Sequence, residues 1–206
     1  MSEIKIFTVG HSTHDISYFV ELLKTFSIDT LIDVRSVAAS AYSPQYNKES
    51  LSAFLLRHKI SYLHFADEFG ARKTDASLLD KEGKVDFEKV RNSNPFKSGV
   101  HQLKKMSGEN KIMALMCSEA NPFDCHRFSM VSVQLAKENF EVVHILKDKS
   151  VVTNKELEEE LLKKYAKKIP QPSLFEPEIS TEQQLNFAYR LRNRDVAYNT
   201  VAEPLQ

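Results

Sequence analysis

The chain holds two cysteines, Cys117 and Cys125, and both fall in one stretch, LMCSEANPFDCHR, which also carries Glu119, His126 and Arg127. Thiol, carboxylate, imidazole and guanidinium groups within one loop are the material of nucleophilic catalysis, proton transfer, anion binding and metal ligation. Three readings follow. In the first the site is an enzyme: a thiolate, with Cys117 the foremost candidate and Cys125 the second, attacks a substrate, or Cys117 and Glu119 position it. Arg35, Arg127, His126 and a helix N-terminus hold its anionic group, and His11 and Asp33 transfer protons. This suits a small phosphorylated metabolite, a nucleotide or the end of a nucleic-acid strand. The spacing from Cys117 to Arg127 exceeds that of the compact phosphate cradle of tyrosine phosphatases, so that reaction is not assigned.

In the second reading Cys117, Cys125 and one or both of His126 and His11 ligate zinc. Seven residues separate the cysteines, wider than the usual structural knuckle, so the leading assignment includes no metal and no cofactor. In the third the domain binds a nucleotide or nucleic acid without chemistry, with Tyr42 and Tyr46 stacking on bases. So many proton-active groups together favour catalysis over binding alone.

These residues have to be positioned by strands and helices. IKIFTVG (Ile4 to Gly10) reads as a strand, and ISYFVELLKTF (Ile16 to Phe26) as an amphipathic helix capped by Thr13 or Asp15. DTLIDVRS (Asp29 to Ser36) is a second strand, Asn47 to Lys59 a helix with Asn47 at its cap, and Ile60 to Ala66 a third strand. After a charged stretch to about Ser98 come a helix (Gly99 to Met106), a strand (Lys111 to Cys117), a helix (Asp124 to Phe140, with Asp124 as N-cap) and a fifth strand (Glu141 to Leu146). Alternation of this kind gives a doubly wound α/β domain over residues 1–150, its sheet mainly parallel and covered on both faces. Residues 151–206 read as a charged helical extension, with IPQPSLFEPEIS (Ile169 to Ser180) as a proline-containing linker.

Ligands in such sheets bind beyond the carboxyl ends of the strands. The first strand is followed by His11 and Ser12, the second ends near Asp33, Arg35 and Ser36, and the fourth ends in Cys117. If these strands are neighbours, all converge on one rim. The loop Ser36 to Lys48 would overhang it as a lid, closing Tyr42 and Tyr46 over a planar group. Plainer roles stand beside these: Cys117 as a small buried hydrophobe, Asp33 and Arg35 as a buried ion pair, and His64 and His144 as structural strand residues.

Lys plus Arg and Asp plus Glu each number 28, so no overall field draws the chain to nucleic acid or a membrane surface. The N-terminus lacks a secretory pattern and no apolar run suits a membrane span, which makes the cytoplasm the expected location and the thiols reduced.

The motifs TVGHS (Thr8 to Ser12), DVRS (Asp33 to Ser36), PQYNK (Pro44 to Lys48), YLH (Tyr62 to His64), MCSE (Met116 to Glu119), CHR (Cys125 to Arg127) and VVHI (Val142 to Ile145) occur in order. Together they make the chain resemble the domain-of-unknown-function 488 family of bacteria and archaea. That resemblance implies a Rossmann-like α/β fold with its site at these motifs, and it lends no settled activity. The family usually has Leu-Gly-Gly-Arg where this chain has Phe69-Gly70-Ala71-Arg72. Ala71 thus stands where a second glycine would permit positive φ, and Arg72 is a further anion contact.

Overall fold

Apolar residues alternate between the two sides of the central strands, and that alternation decides where the helices pack. The computed structural model describes residues 3–171 and 179–200. Its strands are β1 (Ile4–Gly10), β2 (Thr30–Asp33), β3 (Ser61–His64), β4 (Met113–Cys117), β5 (Phe140–Ile145) and β6 (Val151–Thr153). They form one sheet in the order β3-β2-β4-β1-β5-β6, parallel except for the antiparallel pairing of β5 with β6.

Ala114 and Met116 of β4 face one layer with Leu31, where α1 (Ile16–Thr25) and α2 (Lys48–Arg57) bury Phe19, Leu22, Leu23, Leu51 and Leu55. Met113, Leu115 and Cys117 face the other. That layer is filled by Phe69 of α3 (Ala66–Phe69), Val90 of α4 (Phe87–Asn92) and Phe96 and Leu103 of α5 (Asn94–Gly108). Burial of each large side chain contributes roughly 1.5–3 kcal/mol. Asp15 caps α1 by accepting from the Ser17 N–H. Asn47 is the cap residue of α2 by position, but its Oδ1 accepts from the Ser40 N–H at 2.7 Å and ties down the preceding loop instead.

Three stretches differ from the sequence expectation. The charged stretch after β3 contains α3 and α4, and α5 starts at Asn94, five residues before the expected helix, because Ser93 caps it and Pro95 stands in its first turn. The helix expected over Asp124 to Phe140 is broken into a 3₁₀ turn (Pro122–Asp124), a π-helical segment (Arg127–Ser132) and α6 (Val133–Lys137). Finally, Val151–Thr153 adds the antiparallel edge strand β6.

Beyond β6 lie α7 (Asn154–Tyr165) and α8 (Thr181–Val196), both with capping boxes. They share a third apolar cluster with Phe123, Phe128 and Val133, in which Leu157, Leu161, Ala188 and Tyr189 are buried. Residues 172–178 of the expected linker lie outside the described residues. Among the described residues no helix is long and apolar enough to cross a membrane.

His144 on β5 is fully buried, its Nδ1 2.7 Å from Thr8 Oγ1 and its Nε2 3.4 Å from Asn154 Oδ1. Burial, and then the charge of Arg127, hold its pKa down to about 3. The unfolded chain therefore takes up a proton near pH 6.5 that the folded chain refuses until about 3. Stability is expected to fall as the pH drops through that window, and in His144→Gln the urea midpoint should change less steeply with pH over the same range. Gly10 gives a second prediction. A Cβ there would sit 1.9 Å from the Glu119 carbonyl oxygen, so Gly10→Ala should lower unfolding free energy by about 1–3 kcal/mol in chemical denaturation.

Candidate functional site

β4 lies between β1 and β2, so the three strand ends open onto one crevice. The pairing continues past the strands: the N–H groups of His11 and Ser12 donate to the carbonyls of Cys117 and Ser118, and that of Val34 to Met116. Ser12 takes a positive φ of 48°, a strained choice for serine that turns the chain at the rim. The crevice measures about 660 Å³, within the range of small-molecule sites. His11, Ser12, Arg35, Ser36, Arg72, Cys117, Glu119, Cys125 and His126 all line it.

At its floor four side chains gather. Glu119 Oε2 lies 2.8 Å from Cys117 Sγ and 3.1 Å from Cys125 Sγ, and His126 Nδ1 lies 3.7 and 3.8 Å from the same two sulfurs. One nitrogen, one oxygen and two sulfurs thus fall within 4.8 Å of one another, a set able to hold a metal ion. The cysteines are buried, His126 is half-buried and Glu119 is exposed toward the crevice. His126 Nε2 is 3.2 Å from the Val34 carbonyl, to which it can only donate, and Nδ1 therefore faces the sulfurs.

Burial pushes the Cys117 thiol up. Burial opposes ionisation of Cys125 too, but the Cys117 S–H, Arg127 and His126 together outweigh it and pull that thiol down. Burial, and then the negative charge on Cys125, raise the Glu119 carboxyl. The lower thiol pKa therefore belongs to Cys125.

The expected N-cap, Asp124, is instead the last residue of the 3₁₀ turn and is bonded to Arg192 of α8 and to Asn121. Cys125 follows that turn with an extended backbone, and its sulfur accepts from the Arg127 N–H at 3.4 Å. Arg127, expected to fork onto an anion, is fully buried and does not line the crevice. Its guanidinium donates to the carbonyls of Glu119 at 2.6 Å and Ala120 at 3.0 Å, so its work is to fix the loop between the two cysteines.

Asp33 is also wholly buried behind the crevice wall. It accepts from Nε and Nη2 of Arg35, from the Arg35 N–H and from the Tyr62 hydroxyl. Arg35 in turn donates to the Tyr46 carbonyl and stands 3.2 Å from His11 Nε2. Because His11 Nδ1 donates to the Ser12 carbonyl, its Nε2 lone pair is already engaged by Arg35. Burial, with the Arg35 charge, holds the His11 pKa near 4, so the ring is neutral at ordinary pH. Tyr46, expected to stack on a ligand, is fully buried with its ring on His11 at 4.1 Å, because the ring fills the core beside Phe19. Tyr42 is 99% exposed and is not among the residues that line the crevice. His64 is structural, its Nε2 2.9 Å from the Arg35 carbonyl.

Arg72 stands at the mouth with its guanidinium 5.4 Å over the Tyr198 ring, and among the described residues no carboxylate pairs with it. Its backbone N–H donates to Ser36 Oγ, and Gly70, whose Cβ would collide with the Ala66 carbonyl and Ser36 Oγ, lets the two loops meet. Ala71 has no positive φ, so the loop forms without a second glycine. Sequence reasoning missed Val196 at the end of α8 and Ala197 and Tyr198 just beyond it, which line the crevice. Nothing local marks them, since their placement depends on long-range bonds such as Val85 N–H to the Tyr198 carbonyl.

The sheet order makes this a mixed α/β protein with a mainly parallel sheet, and the crevice at the carboxyl ends of its strands is the candidate site. The family model described as Domain of unknown function DUF488 matches residues 15–133, and the chain belongs to that family. The matched region includes Cys117, Glu119, Cys125 and His126, whereas His11 and Ser12 precede it. No curated protein and no solved structure matches the chain.

Asp33→Asn removes the charge opposite a buried guanidinium and is expected to cost about 3–5 kcal/mol in urea unfolding. Arg72→Gln, at an exposed position with no carboxylate partner among the described residues, should stay within about 0.5 kcal/mol of the parent chain in the same experiment. That contrast separates the scaffold of the site from its open face.

Proposed function

We propose that this protein is an enzyme acting on a small anionic substrate, carrying a phosphate or carboxylate, which enters the crevice beyond β1, β2 and β4. The observation that carries the reading is the pairing of two unlike features in one cavity. A titratable cluster of two thiols, a carboxylate and an imidazole forms its floor, and at its mouth the Arg72 guanidinium has no carboxylate partner among the described residues. Buried thiols beside a carboxylate and an imidazole are reactive groups that packing alone does not require. A planar guanidinium held against an aromatic ring is oriented to fork onto carboxylate or phosphate oxygens.

In this reading Arg72 and Ser12 receive the anionic group, and the reacting end of the substrate points down to Cys117, Glu119, Cys125 and His126. Arg35 and His11 form the side of the cavity, held from behind by Asp33 and Tyr46. They act on the substrate by shape and charge, since their own hydrogen bonds are mostly taken.

Titration calorimetry with inorganic phosphate and a panel of phosphorylated and carboxylated metabolites tests this. Saturable binding that weakens with added salt and drops about tenfold or more in Arg72→Gln is expected, a change of about 1.4 kcal/mol. Turnover of the retained ligand, followed by mass spectrometry, should disappear in Cys117→Ser and Glu119→Gln. If no anion in the panel binds, or if Arg72→Gln binds as tightly as the parent, the reading fails.

A further inference from the structure

Two thiols and a carboxylate share a volume only a few ångströms across at the crevice floor. Three acidic groups so close cannot all ionise unless a cation lies among them. We infer that Cys117, Cys125, His126 and Glu119 bind one divalent transition-metal ion of the zinc class.

Four features carry the inference. First, the donor set is that of zinc, with two soft thiolates, an imidazole and a carboxylate, and it excludes the all-oxygen preference of magnesium or calcium. Second, the imidazole stands at the spacing such a site needs, while Glu119 Oε2, at 2.8 and 3.1 Å from the sulfurs, would move outward on binding. In a tetrahedral zinc site neighbouring sulfur and nitrogen ligands stand about 3.5 Å apart, and His126 Nδ1 lies 3.7 and 3.8 Å from the two sulfurs.

Third, the surrounding hydrogen bonds are those that orient ligands. His126 donates from Nε2 to the Val34 carbonyl, which fixes Nδ1 as the ligating atom, and the Arg127 N–H points at the Cys125 sulfur, as amide groups do toward metal-bound thiolates. Fourth, the buried Arg127 guanidinium has no carboxylate partner among the described residues. Two thiolates, a carboxylate and a divalent cation sum to one net negative charge, and Arg127 lies where it balances that charge.

The ligands are not equivalent. Cys117 and Cys125 are buried and His126 is half-buried, whereas Glu119 faces the crevice. Glu119 is therefore the ligand that yields its place to a substrate atom, the arrangement of a catalytic rather than a structural zinc site. His11, the other histidine on the cavity wall, takes no part, because both of its ring nitrogens are engaged. The ion would act as a Lewis acid at the floor of the cavity.

The site stands independently of the substrate reading, and the two are tested apart. Elemental analysis of the chain purified without chelators should give about one zinc per chain. Cys117→Ser and Cys125→Ser should each bring this near zero, while Glu119→Gln keeps most of the metal. A serine variant that fails to fold would lose metal as well, so the unmodified chain is also produced in cobalt-supplemented medium. Its absorption spectrum should contain thiolate-to-cobalt charge-transfer bands in proportion to bound cobalt.

Purified chain that carries no transition metal, lacks those bands and has both thiols free to a thiol reagent on unfolding would overturn the site. Phosphate binding at Arg72 in that same sample would leave the anionic-substrate reading standing. Bound metal without any anion binding would have the opposite consequence.

Discussion

One buried cation organises the loop on which the site is built. Arg127 is removed from water and its guanidinium binds the carbonyls of Glu119 and Ala120, drawing the segment after β4 back over the start of the π-helical turn. Sequestering a charge costs several kcal/mol unless anionic or dipolar groups surround it. The two carbonyls supply part of that environment, while its Nε stays without a hydrogen-bond partner among the described residues. The loop closes tightly enough that the Glu119 carbonyl rests against Gly10, where no side chain would fit. In this way one residue brings Cys117, Glu119, Cys125 and His126 to a common point, although the strand contributes only the first of them.

Around that centre the fold adds support from elements far apart in sequence. Asp33 grips Arg35, Arg35 meets His11, and His11 stacks on the buried Tyr46, so the wall from β1 and β2 is set by one continuous chain of contacts. On the other side Arg192 of α8 donates to the Phe123 carbonyl, bonds Asp124 and lies 4.6 Å over the Phe123 ring. The segment between the cysteines is therefore held from below by Arg127 and from outside by α8. Residues beyond α8 then complete the cavity with Tyr198.

Much of this was legible in the sequence because it depends on strand ends. Periodicity located β1, α1, α2, β3 and β4, and a parallel α/β sheet with β1, β2 and β4 adjacent brings His11, Arg35 and Cys117 together. The roles of individual polar residues were less legible, since residue type does not reveal which partner is nearest. Asp33 and Arg127 look like chemistry but are buried scaffold, Tyr46 is core, and Asp124 gives up its expected cap to pair with Arg192. The short strand β6 has no alternating pattern long enough to announce it, and the break at Arg127–Ser132 reflects hydrogen bonds such as Ser132 Oγ to the Arg127 carbonyl. Glu119 shows the same limit in reverse: two residues past a strand, its reach to both sulfurs depends on the fold of the whole loop.

The most direct test of the convergence at the crevice floor is diffraction from crystals of the intact chain, measured on either side of the zinc absorption edge. A single anomalous peak is expected about 2.0–2.3 Å from Cys117 Sγ, Cys125 Sγ and His126 Nδ1, with Glu119 or a water completing the tetrahedron. An ordered loop with no anomalous scatterer, its sulfurs turned apart and His126 directed away from them, would contradict it.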